Sequence, residues 1–264
     1  MKKNTFMFIL LLLVVAILAG CGNVSGMEKD TTEAPAVSAE APAPEQTIAP
    51  GETAAEEDFT YEVEASTYYI EVVYPEQIGR YHTALVEKWN EEKCFENGIS
   101  EVITAYYEGN PLENVGFGFV DLDNDGYWEL IIGAIQDAET EPAVFEIWTQ
   151  VDGEPVMLAQ AGARIQYVLQ YVEEDNMWYV ANEGSGSAFN HVTCYLMLNE
   201  GKFEIVQGIV YDATADEENP WFLTYDLDWD VSNDKPIDED TAYAILESNR
   251  QHYTALELFP YIYY

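Results

Sequence analysis

The stretch Gly118-Phe119-Val120-Asp121-Leu122-Asp123-Asn124-Asp125-Gly126-Tyr127-Trp128-Glu129-Leu130-Ile131-Ile132-Gly133 constrains the fold more than any other part of the chain. Carboxylates stand at positions one, three, five and nine of a short loop, glycine stands at six, and apolar runs flank both sides. A hard cation such as Ca2+ takes about six to eight oxygen ligands, and this spacing turns Asp121, Asp123 and Asp125 toward one point. Tyr127 would add its backbone carbonyl, and Glu129 would close the shell directly or through water. The expectation is one Ca2+ site with these five residues as ligands; the alternative is a hairpin turn that keeps the pattern without the ion.

An EF-hand would need a bidentate Glu at position twelve and helices on either side. Position twelve here is Ile132, and the flanks Val-Gly-Phe-Gly-Phe-Val and Leu-Ile-Ile-Gly-Ala-Ile read as strands. The loop instead resembles the strand–turn–strand calcium turn of FG-GAP (VCBS-like) repeats in integrin-type β-propellers and bacterial surface proteins. That pattern runs Asp-x-Asp-x-Asp-Gly-x-x-Asp/Glu into an apolar strand. The resemblance covers the turn and its flanks, and implies a calcium site there without implying the whole propeller.

The N-terminus supplies an address. Met1-Lys2-Lys3 is a basic start, and Phe6 to Ala19 is unbroken apolar sequence. That run is too short to span a bilayer, where roughly 20 residues are needed. It ends in Leu18-Ala19-Gly20-Cys21, which is similar to the bacterial lipobox, whose cysteine is acylated before cleavage in front of it. Residues 1–20 are therefore expected to be a lipoprotein signal peptide, with Cys21 the lipidated residue that anchors the chain to the membrane. Residues 21–58 are rich in Ala, Pro, Glu and Thr and contain no aromatic residue. Such a segment buries too little apolar surface to offset its ordering entropy, so a disordered tether is expected. Prolines 35, 42, 44 and 50 stretch it toward an upper reach of about 115 Å, against about 35 Å for a random coil. The chain also resembles Gram-positive surface lipoproteins that join such a tether to one acidic domain, which implies an extracytoplasmic location.

Charge excludes some partners. The formal net charge is −39, and without Lys2 and Lys3 it is −41. Nucleic acid and anionic headgroups are repelled by such a surface, while divalent cations and neutral or cationic ligands are favoured. Residues 59–264 are long enough for one domain with a sizeable core, and the 14% aromatic content shows that the acidity decorates a core.

Within that domain, Tyr61–Ala65 and Tyr68–Tyr74 read as strands. From Tyr81 the spacing becomes helical through Leu85, Trp89, Ile99, Val102, Ile103 and Tyr106, with Asn97-Gly98 dividing two helices. Strands follow at Val115–Val120, Leu130–Ile135, Val144–Val151, Val156–Ala161, Ile165–Val172, Met177–Val180, Thr193–Leu198 and Phe203–Tyr211. They align as two four-strand units repeated at about fifty residues. In the second unit Tyr171, Glu173, Asp175 and Tyr179 replace the ligands, so one metal site and one degenerate turn are expected. Asp238 caps a final helix whose expected buried face is Ile245, Leu246, Tyr253 and Leu256. The expected fold is α+β: a twisted antiparallel β-meander of two blade-like four-strand units, packed with an N-terminal helical segment and a C-terminal helix.

Catalytic signatures are missing: no Gly-x-Ser-x-Gly, His-Glu-x-x-His, phosphate loop or dinucleotide fingerprint occurs, and His82, His191 and His252 have no zinc-ligand spacing. Asp226–Asp230 imitates the start of a calcium loop, but Val231 stands where glycine is required. Gly184–Asn190 reads as a wide loop that could present Phe189, Asn190 and His191 or simply turn the chain. Cys94 and Cys194 could bridge in an oxidising compartment, while a helical and a strand placement favour two buried thiols. The favoured function is a non-enzymatic surface module for a carbohydrate, peptide or protein; the alternative is an extracellular glycosidase-like hydrolase with its carboxylate pair hidden among 49 acids.

Overall fold

The computed structural model describes residues 66–135, 143–226 and 229–264. The expected signal peptide, Cys21, the tether and the expected strand at Tyr61–Ala65 lie outside the described residues. No helix among the described residues is long and apolar enough to cross a membrane.

Tyr68–Tyr74 is a correction. The β-branched run Ile70, Val72 and Val73 reads as a strand, yet Tyr69–Val73 forms a π-helical turn. Its buried residues Tyr69 and Val73 are four apart, with Val72 exposed. Side-chain packing overrides strand propensity here. Three further helical pieces follow: α1 (Pro75–Glu87), α2 (Glu91–Glu96) and a 3-10 turn at Glu101–Tyr106. Proline opens α1, and Lys88 ends it in the left-handed region with φ 48°. Asn90 caps α2 by accepting from the Lys93 amide. Gly98, at φ 64°, makes the expected break between α2 and the 3-10 turn. The short α3 (Pro111–Asn114) leads directly into the sheet.

Among the described residues the sheet has eleven antiparallel strands. They are β1 (Val115–Val120), β2 (Glu129–Ala134), β3 (Val144–Val151), β4 (Glu154–Gln160), β5 (Ile165–Val172), β6 (Met177–Ser185), β7 (Asn190–Asn199), β8 (Lys202–Asp212), β9 (Trp221–Thr224), β10 (Lys235–Pro236) and β11 (Phe259–Pro260). Their order is β10-β9-β8-β7-β6-β5-β3-β2-β1-β11, with β4 paired on β3. Two meanders, β1–β4 and β5–β8, meet where Val144 of β3 pairs with Tyr167 of β5. The class is α+β, built on one antiparallel meander sheet.

Tyr81, Ile78, Leu85 and Trp89 of α1 and its end pack with Phe117, Leu130, Ile132 and Phe145 of β1–β3. A second core joins Ile131, Ile147, Leu169, Val180, Cys194, Val210 and Phe222, with Leu256 and Leu258 from the C-terminal chain. The last helix, α4 (Glu239–Arg250), is capped by Asp238, which accepts from the Thr241 amide at 2.7 Å. Its Ala242 is buried, and Ile245 and Leu246 pack with Ile209 and Trp221. Tyr253 and Leu256 lie beyond the helix: Tyr253 packs by Tyr195, while Leu256 belongs to the core formed with β5–β9. Of the closing aromatics Tyr261 is buried against Phe117, whereas Phe259, Tyr263 and Tyr264 stay exposed.

A buried carboxyl joins the helices to the sheet. Glu146 of β3 has no exposure and accepts from the Ser100 amide, Trp148 Nε1 and Gln160 Nε2 at 3.1, 2.8 and 2.9 Å. The Ser100 amide also reaches the Tyr81 hydroxyl, at 3.3 Å. Burial pushes the Glu146 carboxyl above its ordinary range, while these hydrogen bonds and Arg80 oppose the shift. Glu146→Leu would leave several donors buried without a partner. It should cost about 3–5 kcal/mol of stability, read as a lower urea midpoint at unchanged m-value.

Cys94 and Cys194 are free and buried, in α2 and β7. Burial pushes the Cys194 thiol up to about 12 and raises Cys94 too. Neither thiol should react with a thiol-specific disulfide reagent until the chain is unfolded, when both should titrate together.

Candidate metal centre

Val120 and Glu129 are partners in the β1–β2 ladder, so the turn returns its last carboxylate beside its first. The backbone makes that return through two left-handed residues, Asn124 at φ 59° and Gly126 at φ 91°. A side chain at Gly126 would meet open space, so glycine is needed there for its conformation alone.

Hydrogen bonds close the turn on its own carboxylates. Asp121 Oδ1 accepts from the Asp125 amide at 3.1 Å, and Oδ2 accepts from the Gly126 amide at 3.0 Å. The Tyr127 amide donates to Asp125 Oδ1 at 2.7 Å. At the base, Glu129 is only 2% exposed. Its Oε2 accepts from the Leu122 amide and its Oε1 from the Thr149 hydroxyl of β3, each at 2.8 Å.

Asp121, Asp123 and Glu129 each offer a carboxylate oxygen, and these atoms lie within 4.8 Å of one another. The group could hold a metal ion. Asp123 Oδ1 is buried and has no hydrogen-bond partner, which is costly for a carboxylate and is what a cation would relieve. Burial, followed by Asp125 and Asp121, raises the Asp123 carboxyl. Burial also pushes Glu129 up to about 7, with Asp123 and Asp125 adding to the shift and the Leu122 and Thr149 hydrogen bonds opposing it.

The expected ligands thus divide. Asp121, Asp123 and Glu129 come together, whereas Asp125 is exposed and stands outside the group. Tyr127 is exposed on the same turn. Thr149 and the aromatic support carried no signal in the motif. The Trp128 amide donates to Tyr69 Oη at 2.9 Å, its carbonyl accepts from the Tyr74 hydroxyl at 3.1 Å, and its ring stacks on Tyr69 at 5.6 Å. The β5–β6 turn lies against the metal turn, where Asn124 Nδ2 donates to the Asn176 carbonyl at 3.1 Å. Asp226–Asp230 falls partly outside the described residues. His191 stacks on Tyr211 at 4.7 Å, whereas Cys194 belongs to the core formed with Val180 and Val210. They form no thiol–imidazole pair.

Comparison of the chain with models of known protein families, with curated proteins and with solved structures finds no match.

A carboxyl whose folded pKa is raised favours folding while protonated. Its contribution is complete below the unfolded value near 4.5 and is lost as pH rises through about 7. In chelator, unfolding free energy should fall over that window by up to roughly 3 kcal/mol from Glu129 alone. Urea melts of wild type and Glu129→Gln across pH 4–8 check this: the wild-type slope over the window should flatten in the variant.

Proposed function

We propose that the chain is a lipid-anchored extracytoplasmic surface protein, a non-enzymatic binding module whose Asp121–Glu129 turn holds one structural Ca2+ ion. Asp121, Asp123 and Glu129 form the ligand group, with Asp125 and the Tyr127 carbonyl as the further ligands of the motif. Acylated Cys21 anchors the chain to the membrane, and residues 21–58 hold the domain away from it. The observation that carries the ion is the buried, partnerless Oδ1 of Asp123 on a carboxylate that brings an oxygen within 4.8 Å of oxygens of Asp121 and Glu129.

A hard oxygen set of carboxylates without sulfur or imidazole suits calcium better than a transition metal. Both oxygens of Glu129 already accept hydrogen bonds, which orient the carboxylate before an ion arrives. The finer reading of two blade-like units draws support from the meanders β1–β4 and β5–β8 and from the contact between their turns at Asn124 and Asn176.

Against the hydrolase reading, Glu129, the carboxyl raised toward neutrality, is not among the residues lining the groove beside it. A general acid must reach its substrate.

At an extracellular affinity of about 10^-4 to 10^-3 M, about 1 mM calcium stabilises the fold by roughly 0.4–1.4 kcal/mol. Calorimetric titration of Ca2+ into the chain should show one saturable site that the Asp121→Ala/Asp123→Ala double variant lacks. The wild-type melting temperature should rise by a few degrees with calcium, and the variant's should not move. Identical titrations of both proteins would remove the ion from this account.

A further inference from the structure

A groove of about 670 Å3 runs beside the metal turn, within the size range of ligand sites. Five consecutive residues of one strand and its end line it, Phe117 through Asp121. Side chains of a strand alternate between faces, so five in a row can border a groove only along the backbone edge.

The ladder shows which backbone groups face it. Ile135 donates to the Asn114 carbonyl at 2.8 Å, which makes that opposed pair a hydrogen-bonded one. In an antiparallel ladder the bonded pairs alternate, so Gly116, Gly118 and Val120 bond to β2. Phe117 and Phe119 therefore direct their N–H and C=O groups to the other edge. Phe117 is covered there by Phe259 of β11. Phe119 is not. The ladder with β11 ends at Phe117, and the chain before it crosses the face of Gly118, where an added Cβ would meet Leu256 Cδ2 at 3.1 Å and the Glu257 carbonyl at 3.2 Å. Among the described residues nothing pairs with the outer edge of Phe119.

We infer that this edge takes an extended peptide that continues the sheet beyond β11 and pairs its backbone with Phe119. Such strand addition draws affinity from main-chain hydrogen bonds and specificity from pockets for alternate side chains. Charge selects a basic peptide. The titratable side chains lining the groove are Asp121 and Glu257, both acidic, on a chain of net charge −39. With calcium on Asp121, exposed Glu257 supplies the local preference. Ile70, Trp128 and the half-exposed Phe259 offer apolar contact to the intervening side chains. The inference rests on the binding-module reading and not on the ion.

The test uses the full chain in detergent, with three hexapeptide probes: alternating lysine and valine, the same peptide N-methylated on alternate amides, and a glutamate-for-lysine version. Each is titrated in chelator and in millimolar calcium, with hydrogen exchange read at the Phe119 amide. The basic peptide should bind saturably and slow that exchange about tenfold or more. N-methylation should weaken binding about tenfold or more, because it blocks the backbone pairing while keeping the charge. Glu257→Gln should weaken it about two- to fivefold, and the acidic peptide should not bind. Equal binding of the methylated peptide would mean charge attraction alone and overturn the inference. So would a Phe119 amide already protected in the free chain, which would place another part of this chain or a second copy on the edge. Binding of a neutral oligosaccharide in place of all three peptides would assign the groove to a different ligand. Peptide binding in chelator alongside a flat calcium titration would sink the ion and leave the groove; the reverse pattern would sink the groove and leave the ion.

Discussion

The carboxyl of Glu129 is carried almost wholly out of water at the first residue of β2, and three parts of the molecule are arranged by that fact. Its two oxygens take a hydrogen bond from the Leu122 amide and another from Thr149. The first ties down the start of the acidic turn, and the second ties β2 to β3 at the same level. With Val120 as its ladder partner, Glu129 also sets the register of β1. A one-residue slip of β2 would exchange its faces, taking Leu130 and Ile132 out of the core under α1 and putting Ile131 into it. The turn is thus determined by the sheet as much as by its own residues.

Around that point the aromatic residues act as a frame. Tyr69 and Tyr74 hold both backbone polar groups of Trp128, one from each end of the π-helical turn. Tyr69 lies between Trp128 and Phe119, with ring centroids 5.6 Å from each. Trp128 and Phe119 in turn line the groove. The acidic turn and the groove therefore share one wall, and Asp121 belongs to both. Glycine makes the opposite contribution on β1. At Gly116 a Cβ would come within 2.8 Å of the Phe259 carbonyl, so only glycine admits the C-terminal chain there. The Gly-Phe-Gly-Phe pattern is thus a strand whose aromatic face packs under α1 and whose glycine face receives the end of the chain.

The central strands were legible because their signals are local: apolar runs bounded by Asp152-Gly153 and Glu200-Gly201, all four at positive φ. Val115–Val120, Val144–Val151 and Ile165–Val172 fall where their apolar runs place them. The Asp238 cap is equally local. By contrast, β9, β10 and β11 are four residues or shorter and exist because a neighbouring edge was open, which no periodicity encodes. Tyr68–Tyr74 misled for the same reason in reverse, since its strand propensity lost to contacts with Trp128 some sixty residues away. In the site, the spacing of Asp121, Asp123 and Glu129 announced their convergence. It carried no information on Thr149, and it placed Asp125 in the same group, whereas that exposed carboxylate accepts from the Tyr127 amide outside the cluster of the other three.

Proton and cation are alternative ways of discharging the same buried carboxylates. Ionising Glu129 in the folded state without a counter-charge weakens the fold by a few kcal/mol, more than the roughly 1 kcal/mol that a millimolar ion of weak affinity would return. Acidification favours the turn with Glu129 protonated and would oppose cation binding, because a carboxylate binds a cation in its deprotonated form. Neutral pH weakens the metal-free turn and would favour a cation there. Since Asp121 also borders the groove, the species that discharges the turn decides how much negative charge the groove presents. A cation held by the turn would offset Asp121, which borders the groove as well as the turn. For a chain of net charge −39, the turn is where the general surplus of acid becomes a local and adjustable property.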